Sequence, residues 1–204
     1  MEQNTELSAK RSFDLINETL EGSRRSILRN NGKYFILWGC FLTFMSLLVY
    51  VLWKTTGKAQ WNFLWFAMPV IGYPLATLLK KKDTVPVPSN VVSRMLSGTW
   101  STFGIFACSV AAVSMIYVAF CKDLSAAIMA ANISSALILL FGMAETVCGV
   151  ILKNWIIKVA GFVTGIGGMF IYYLTGMTIE QMLIFTFAGI VLALTGVIIK
   201  NQNR

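Results

Sequence analysis

Apolar residues occur along the chain in six long blocks, and short polar or charged segments separate the blocks. Within a block the apolar residues follow one another, whereas an amphipathic element of a soluble domain shows a period of 2 or 3.6 residues. A helix of about 20 apolar residues matches the thickness of a bilayer's hydrocarbon core. The pattern predicts an all-α, polytopic membrane protein with six transmembrane helices, at about 34–53, 61–79, 96–120, 125–152, 155–175 and 179–199.

The 33 residues before the first block, here called the leader, are polar and charged and predict an amphipathic helix. Its apolar positions share one face and form a seam: Phe13, Ile16, Leu20 and Ile27. Asn30-Asn31-Gly32 is a typical helix stop, so we expect a cytoplasmic or interfacial helix over residues 1–33, followed by a transmembrane domain over 34–200. Two arrangements fit the seam. The helix lies on the lipid headgroups, or it contacts a protein partner or a second copy, because the seam also has heptad spacing.

Composition agrees with a membrane location. Of the 204 residues, 56% are hydrophobic and 13% are charged, and the mean hydropathy is +0.69. The absence of histidine excludes His-dependent triads and His metal sites. The four scattered cysteines imply neither a disulfide framework nor a zinc site. The sequence contains no motif for catalysis, a metal or a cofactor, so we expect a protein that is not an enzyme and uses no cofactor.

The basic residues set the predicted orientation. With the N-terminus inside, only Lys54, Lys58 and Lys122 of the 17 Lys and Arg residues lie outside, and the other 14 are cytoplasmic. The positive-inside rule therefore places both termini, including the tail of residues 201–204, in the cytoplasm. This distribution accounts for the net charge of +8 without nucleic acid. It also predicts contact between the cytoplasmic face and the anionic headgroups of the lipid bilayer.

One acidic residue, Glu145, lies deep inside a predicted span, where a polar side chain is costly unless it is satisfied. Its helix face carries small residues, and the next span has a similar face that includes Lys158. Two interpretations are open: a structural ion pair between Glu145 and Lys158, or a proton or cation site at Glu145. Asn132, in the same span as Glu145, completes the candidate intramembrane polar site.

The second span contains Pro69, Gly72 and Pro74. Each proline removes a helix donor and leaves a carbonyl unpaired, so the pattern predicts a helix kink whose bend faces protein.

Two segments, Gly142–Asn154 and Gly189–Asn201, have the same Gly-to-Gly spacing and similar apolar endings followed by Lys-Asn. One interpretation is that spans three-four and five-six are duplicated hairpins. The other is that any span that leaves the membrane on the basic side ends in this way.

Several features occur together in the chain. The leader ends before an aromatic run at Tyr34–Gly39, the second span includes Trp61–Pro74, and two later spans end with Gly149–Ile151 and Gly196–Ile198. With these features the chain resembles a group of uncharacterised bacterial integral membrane proteins of about this length. The resemblance covers most of the chain. It implies a multi-pass protein of a bacterial inner membrane and supplies no site residues.

Two function hypotheses follow. The first is a non-enzymatic membrane scaffold or regulatory partner that acts through the leader. The second is a small solute-binding or transport protein that uses the kinked second span and Glu145. A close-packed bundle with a docked leader favours the first hypothesis, and water-accessible volume around Glu145 favours the second.

Overall fold

The computed structural model describes residues 2–81, 91–120, 124–175 and 179–202, and these ranges are helical apart from turns at 57–58 and 152–154. The α-helices in this part of the chain are α1 (Glu2–Thr56), α2 (Ala67–Lys81), α3 (Val91–Phe120), α4 (Leu124–Ile151), α5 (Trp155–Phe162), α6 (Gly168–Thr175) and α7 (Met182–Gln202). Helices of the 3₁₀ type precede α2 (Ala59–Phe66) and α7 (Ile179–Gln181), and a π-helix (Val163–Gly167) joins α5 to α6. The predicted all-α class is confirmed.

Within the described ranges, five helical stretches are long and apolar enough to cross a membrane. They are Gly32–Thr56, Gln60–Leu79, Val91–Val113, Ile133–Ile151 and Ile179–Gln202. They overlap the predicted spans one to four and six. The fifth predicted span contains a shorter apolar helix, Trp155–Ile171. The chain therefore has the multi-span helical architecture that the apolar blocks predict.

The helix stop predicted at the end of the leader is wrong. α1 runs without interruption from Glu2 to Thr56, so the leader and the first span are one helix. The physical reason lies at Gly32, where an added Cβ would be 2.9 Å from the carbonyl oxygen of Gly196. The glycine lets α1 and α7 approach closely, and this packing keeps the segment helical.

Helix α1 makes its most extensive contact with α7, and α4 lies between α3 and α5. The larger buried cluster joins Ile27 of the leader to residues of α1, α3, α4, α5 and α7. Its other members are Phe35, Val92, Leu96, Cys148, Leu152, Ile157, Leu192 and Ile199. The leader, the start of α3 and the α4–α5 turn come together at one end of the molecule. We call this end the leader end of the bundle.

The glycines of the two similar segments pack against helices at different places in the chain. The close-packed glycines of α4, Gly142 and Gly149, face α5, which follows α4 in the chain. The matching glycines of α7, Gly189 and Gly196, face α1 at the other end of the sequence. The shared Gly-to-Gly spacing thus reflects close helix packing against two different partners.

Candidate functional site: a buried carboxyl between α4 and α5

A tight reversal places α4 and α5 side by side. Lys153 adopts φ 51°, in the left-handed region that ends many helices. The side-chain oxygen of Asn154 then accepts hydrogen bonds from the backbone N–H groups of Ile156 (3.0 Å) and Ile157 (3.2 Å). Asn154 is therefore the N-cap of α5, and the two helices run antiparallel from this turn.

Glycines then bring the two backbones close together. A Cβ added to Gly161 would lie 2.7 Å from the carbonyl oxygen of Gly142, and one added to Gly149 would lie 2.5 Å from the backbone nitrogen of Lys158. Such distances are too short for any side chain larger than hydrogen. The small-residue faces that the sequence predicts on spans four and five therefore do face each other.

Glu145 lies within this contact and is completely buried. Its Oε2 atom is 3.2 Å from the hydroxyl oxygen of Thr164, which lies in the π-helix between α5 and α6. The same hydroxyl donates a hydrogen bond to the carbonyl oxygen of Ala160 at 2.7 Å. The other carboxyl oxygen of Glu145, Oε1, has no hydrogen-bond partner among the described residues.

The expected ion pair between Glu145 and Lys158 is not formed. No described cation lies within 4.0 Å of the Glu145 carboxyl, and its side-chain partner is Thr164. Lys158 instead packs its backbone and the start of its stem against Gly149, one helical turn nearer the α4–α5 turn. The close glycine contact fixes this register and sets the lysine apart from the carboxyl. Asn132 is in α4, but its side chain is outside the described residues.

The predicted kink in the second span is not part of the same site. The chain changes from 3₁₀ to α-helix between Phe66 and Ala67, just before Pro69, and Pro74 lies inside α2. Gly72 packs directly under the indole ring of Trp38 of α1, so this position faces protein as expected. Pro69 and Pro74 are exposed on the outside of the bundle, whereas Glu145 is enclosed. The two prolines are therefore not buried together with Glu145.

The pattern of apolar and small residues did not indicate Thr164 or the anchoring of the leader. Thr164 follows Gly161 by three residues and precedes Gly165, so its place on the glycine face was a usable signal. What the pattern could not show is the π-helix, whose wider turn shifts the register of every later residue.

The leader is anchored to the α4–α5 turn by charged groups. The Glu21 carboxylate accepts hydrogen bonds from Lys153 (2.7 Å) and Arg24 (2.8 Å), and Arg24 also donates to the carbonyl oxygen of Ile151 (3.0 Å). The contact with the Lys153 ammonium is the main reason why the pKa of Glu21 is lowered. Since these groups are partly exposed, the ion pairs orient the leader more than they stabilise it.

No protein-family model, curated protein or solved structure matches the chain.

Proposed function

We propose that this protein is a non-enzymatic membrane scaffold that holds an acidic, amphipathic helix of a partner protein against its leader. We place it in the inner membrane of a bacterium, with six spans and with both termini in the cytoplasm. The continuous helical run from Trp155 to Thr175 supports the predicted fifth span, which brings the total to six, because 21 residues rise about 30 Å. The basic residues at the leader end support the orientation.

The proposal rests on the apolar seam of the leader, since the bundle covers one half of the seam and the other half is exposed. Ile27 is buried in the main cluster, and Leu20 packs against that cluster. On the same face, Phe13 and Ile16 are 68% and 55% exposed. The docked half fixes the direction of α1, and the other half presents two large apolar side chains beside the leader end. A surface that continues a packed interface in this way is suited to a second helix.

Charge favours an acidic partner. Five described basic side chains are exposed in the leader and at the leader end: Lys10, Arg11, Arg25, Arg94 and Lys200. They outnumber the exposed acids of the leader, Asp14 and Glu18. A helix with acidic flanks would bury its apolar face on Phe13 and Ile16 while its carboxylates meet these cations.

A second copy of this chain fits the seam less well. The bundle already lies on the seam side of α1 at Leu20 and Ile27. Two copies that paired in parallel through Phe13 and Ile16 would each bring a bundle into the same space. A helix that ends at the bundle avoids this conflict.

The test is photo-cross-linking in living cells. With the photoreactive amino acid benzoylphenylalanine at Ile16, we expect an adduct with one protein whose cross-linked peptide has an acidic, amphipathic helical pattern. The matched control carries the same amino acid at Glu18, which is also exposed but lies on the opposite face of α1. Glu18 is expected to give no such adduct.

Four outcomes would contradict the proposal. Equal adducts from both positions would show that the seam has no preference. An adduct of twice the chain mass would show that the occupant is a second copy, and lipid adducts alone would show that the leader contacts headgroups. An adduct with a protein outside the cytoplasm would overturn the orientation.

A further inference from the structure

Two helix pairs in the bundle pack with the same backbone contacts. In the α1–α7 pair, a Cβ added to Gly39 would lie 2.6 Å from the carbonyl oxygen of Gly189. In the α4–α5 pair, a Cβ added to Gly142 would lie 2.5 Å from the carbonyl oxygen of Gly161. In each pair the two glycines face each other directly.

The next residues repeat the correspondence. Thr43 donates a hydrogen bond to the carbonyl oxygen of Gly39, and Thr146 donates one to that of Gly142, both at 2.8 Å. The threonine hydroxyl also lies against the glycine of the facing helix, Thr43 against Gly189 and Thr146 against Gly161. The two contacts therefore share one register.

Contacts about one helical turn further along both pairs confirm this register. Ser46 meets Thr186 in the α1–α7 pair, with their hydroxyl oxygens 2.8 Å apart. The positions that correspond to them in the α4–α5 pair are Gly149 and Lys158, which also contact each other.

The shared register shows which residues of the α1–α7 pair occupy the positions of Glu145 and Thr164. Leu42 corresponds to Glu145, and Leu192 corresponds to Thr164. All four side chains are buried, with 6% and 2% exposure for the leucines and none for Glu145 and Thr164. The α1–α7 pair therefore has two buried apolar residues, which belong to different clusters, at the positions where the α4–α5 pair has a carboxyl and a hydroxyl. Packing alone does not require the carboxyl.

Hydrogen-bond counting indicates the form that the carboxyl takes. The Thr164 hydroxyl has one proton, and the shorter of its two contacts, to the carbonyl oxygen of Ala160, uses that proton. The contact with Glu145 is then satisfied when the carboxyl supplies the proton and Thr164 accepts it. A buried carboxylate with no cation beside it would also be far more costly than the neutral acid.

We propose that Glu145 is a proton-binding site inside the membrane domain, where it is a neutral carboxylic acid that donates to Thr164 and exchanges its proton with water. The site does not depend on the scaffold role of the leader.

The titratable and charged groups around Glu145 are few. The elements packed against α4 are α3, α5, the π-helix, α6 and α7. Described groups on these elements and on α4 itself are Arg94, Cys108, Cys148, Lys158 and Lys200, with Glu180 just before α7. None of them is within hydrogen-bond or ion-pair distance of the carboxyl. The proton on Glu145 is thus held by the hydroxyl of Thr164 and the apolar surroundings.

Infrared spectroscopy of the protein in lipid membranes at neutral pH tests the proposal. A protonated carboxylic acid has a C=O stretching band at higher frequency than carboxylate and amide bands. We expect this band in the wild type, a shift to lower frequency in D₂O, and its loss in Glu145→Gln. Thr164→Val is expected to move the band to higher frequency, because the hydrogen bond is lost.

Glu180→Gln is the matched control, since Glu180 is exposed and pairs with Lys54 at 3.2 Å. It should leave the band unchanged. Absence of the band in the wild type would show an ionised carboxylate and overturn the proposal. A band that does not shift in D₂O would show a locked, structural acid, and that result would overturn proton exchange at the site.

Discussion

Replacing Gly142 with leucine is expected to separate α4 from α5 and to lower the free energy of unfolding by about 3 kcal/mol or more. A Cβ at this position would meet the backbone of Gly165 and lie 2.5 Å from the carbonyl oxygen of Gly161. Backbone atoms of a packed helix cannot move aside as the end of a flexible side chain can. The whole of α5 would have to shift and would lose its contacts. Reversible unfolding in mixed detergents, followed by circular dichroism, measures the change.

Gly104→Leu is the matched control. Gly104 lies within α3, and an added Cβ there would have nothing within 4 Å. Its replacement should change stability by no more than about 0.5 kcal/mol. If the two leucine variants were equally stable, the close backbone contact between α4 and α5 would be refuted.

Replacing Glu145 with leucine is expected to have the opposite sign and to raise the free energy of unfolding by about 1–3 kcal/mol. The substitution removes a buried polar group that has an unpartnered oxygen. It also reproduces the apolar residue that the α1–α7 pair has at the corresponding position, Leu42. A leucine of similar size fits a contact that the chain already uses elsewhere.

Thr164→Val provides the second half of this comparison. In the wild-type background it leaves the Glu145 carboxyl without its hydroxyl partner and should cost about 1–3 kcal/mol. In the Glu145→Leu background the carboxyl is gone, and the same change should cost much less. The difference is the coupling between the two side chains. Loss of stability in Glu145→Leu would show that packing needs the carboxyl. Equal costs of Thr164→Val in both backgrounds would show that the two side chains are not coupled.

Much of the architecture was predictable because it depends on local sequence. A run of about 20 apolar residues is sufficient for a spanning helix, and the blocks at 34–53 and 179–199 lie within observed helices. The amphipathic seam of the leader also follows from spacing alone. The small-residue faces of α4 and α5 were predictable because their short connection leaves them as neighbours.

The remaining features depend on contacts between distant parts of the chain. Asn30-Asn31-Gly32 has the pattern of a helix stop. The local sequence does not show that Gly32 packs against Gly196, which is far away in the chain. The predicted ion pair between Glu145 and Lys158 was wrong because the close contact between glycines, and not the attraction between charges, sets the register of α4 and α5. The π-helix that contains Thr164 is a local change of winding that no hydrophobic period indicates.

The assembly proposed for the leader depends on α1 being one unbroken helix. Its most direct test is the distance between spin labels on cysteines at Glu18 and Thr55, in a variant that lacks the native cysteines. Membranes with excess unlabelled protein prevent signals between copies. A continuous α1 gives about 55 Å between the labelled backbone positions, because 37 residues rise by about 1.5 Å each. A leader that breaks at Asn30–Gly32 and turns onto the headgroups would give about 40 Å. That shorter distance would contradict the scaffold proposed here.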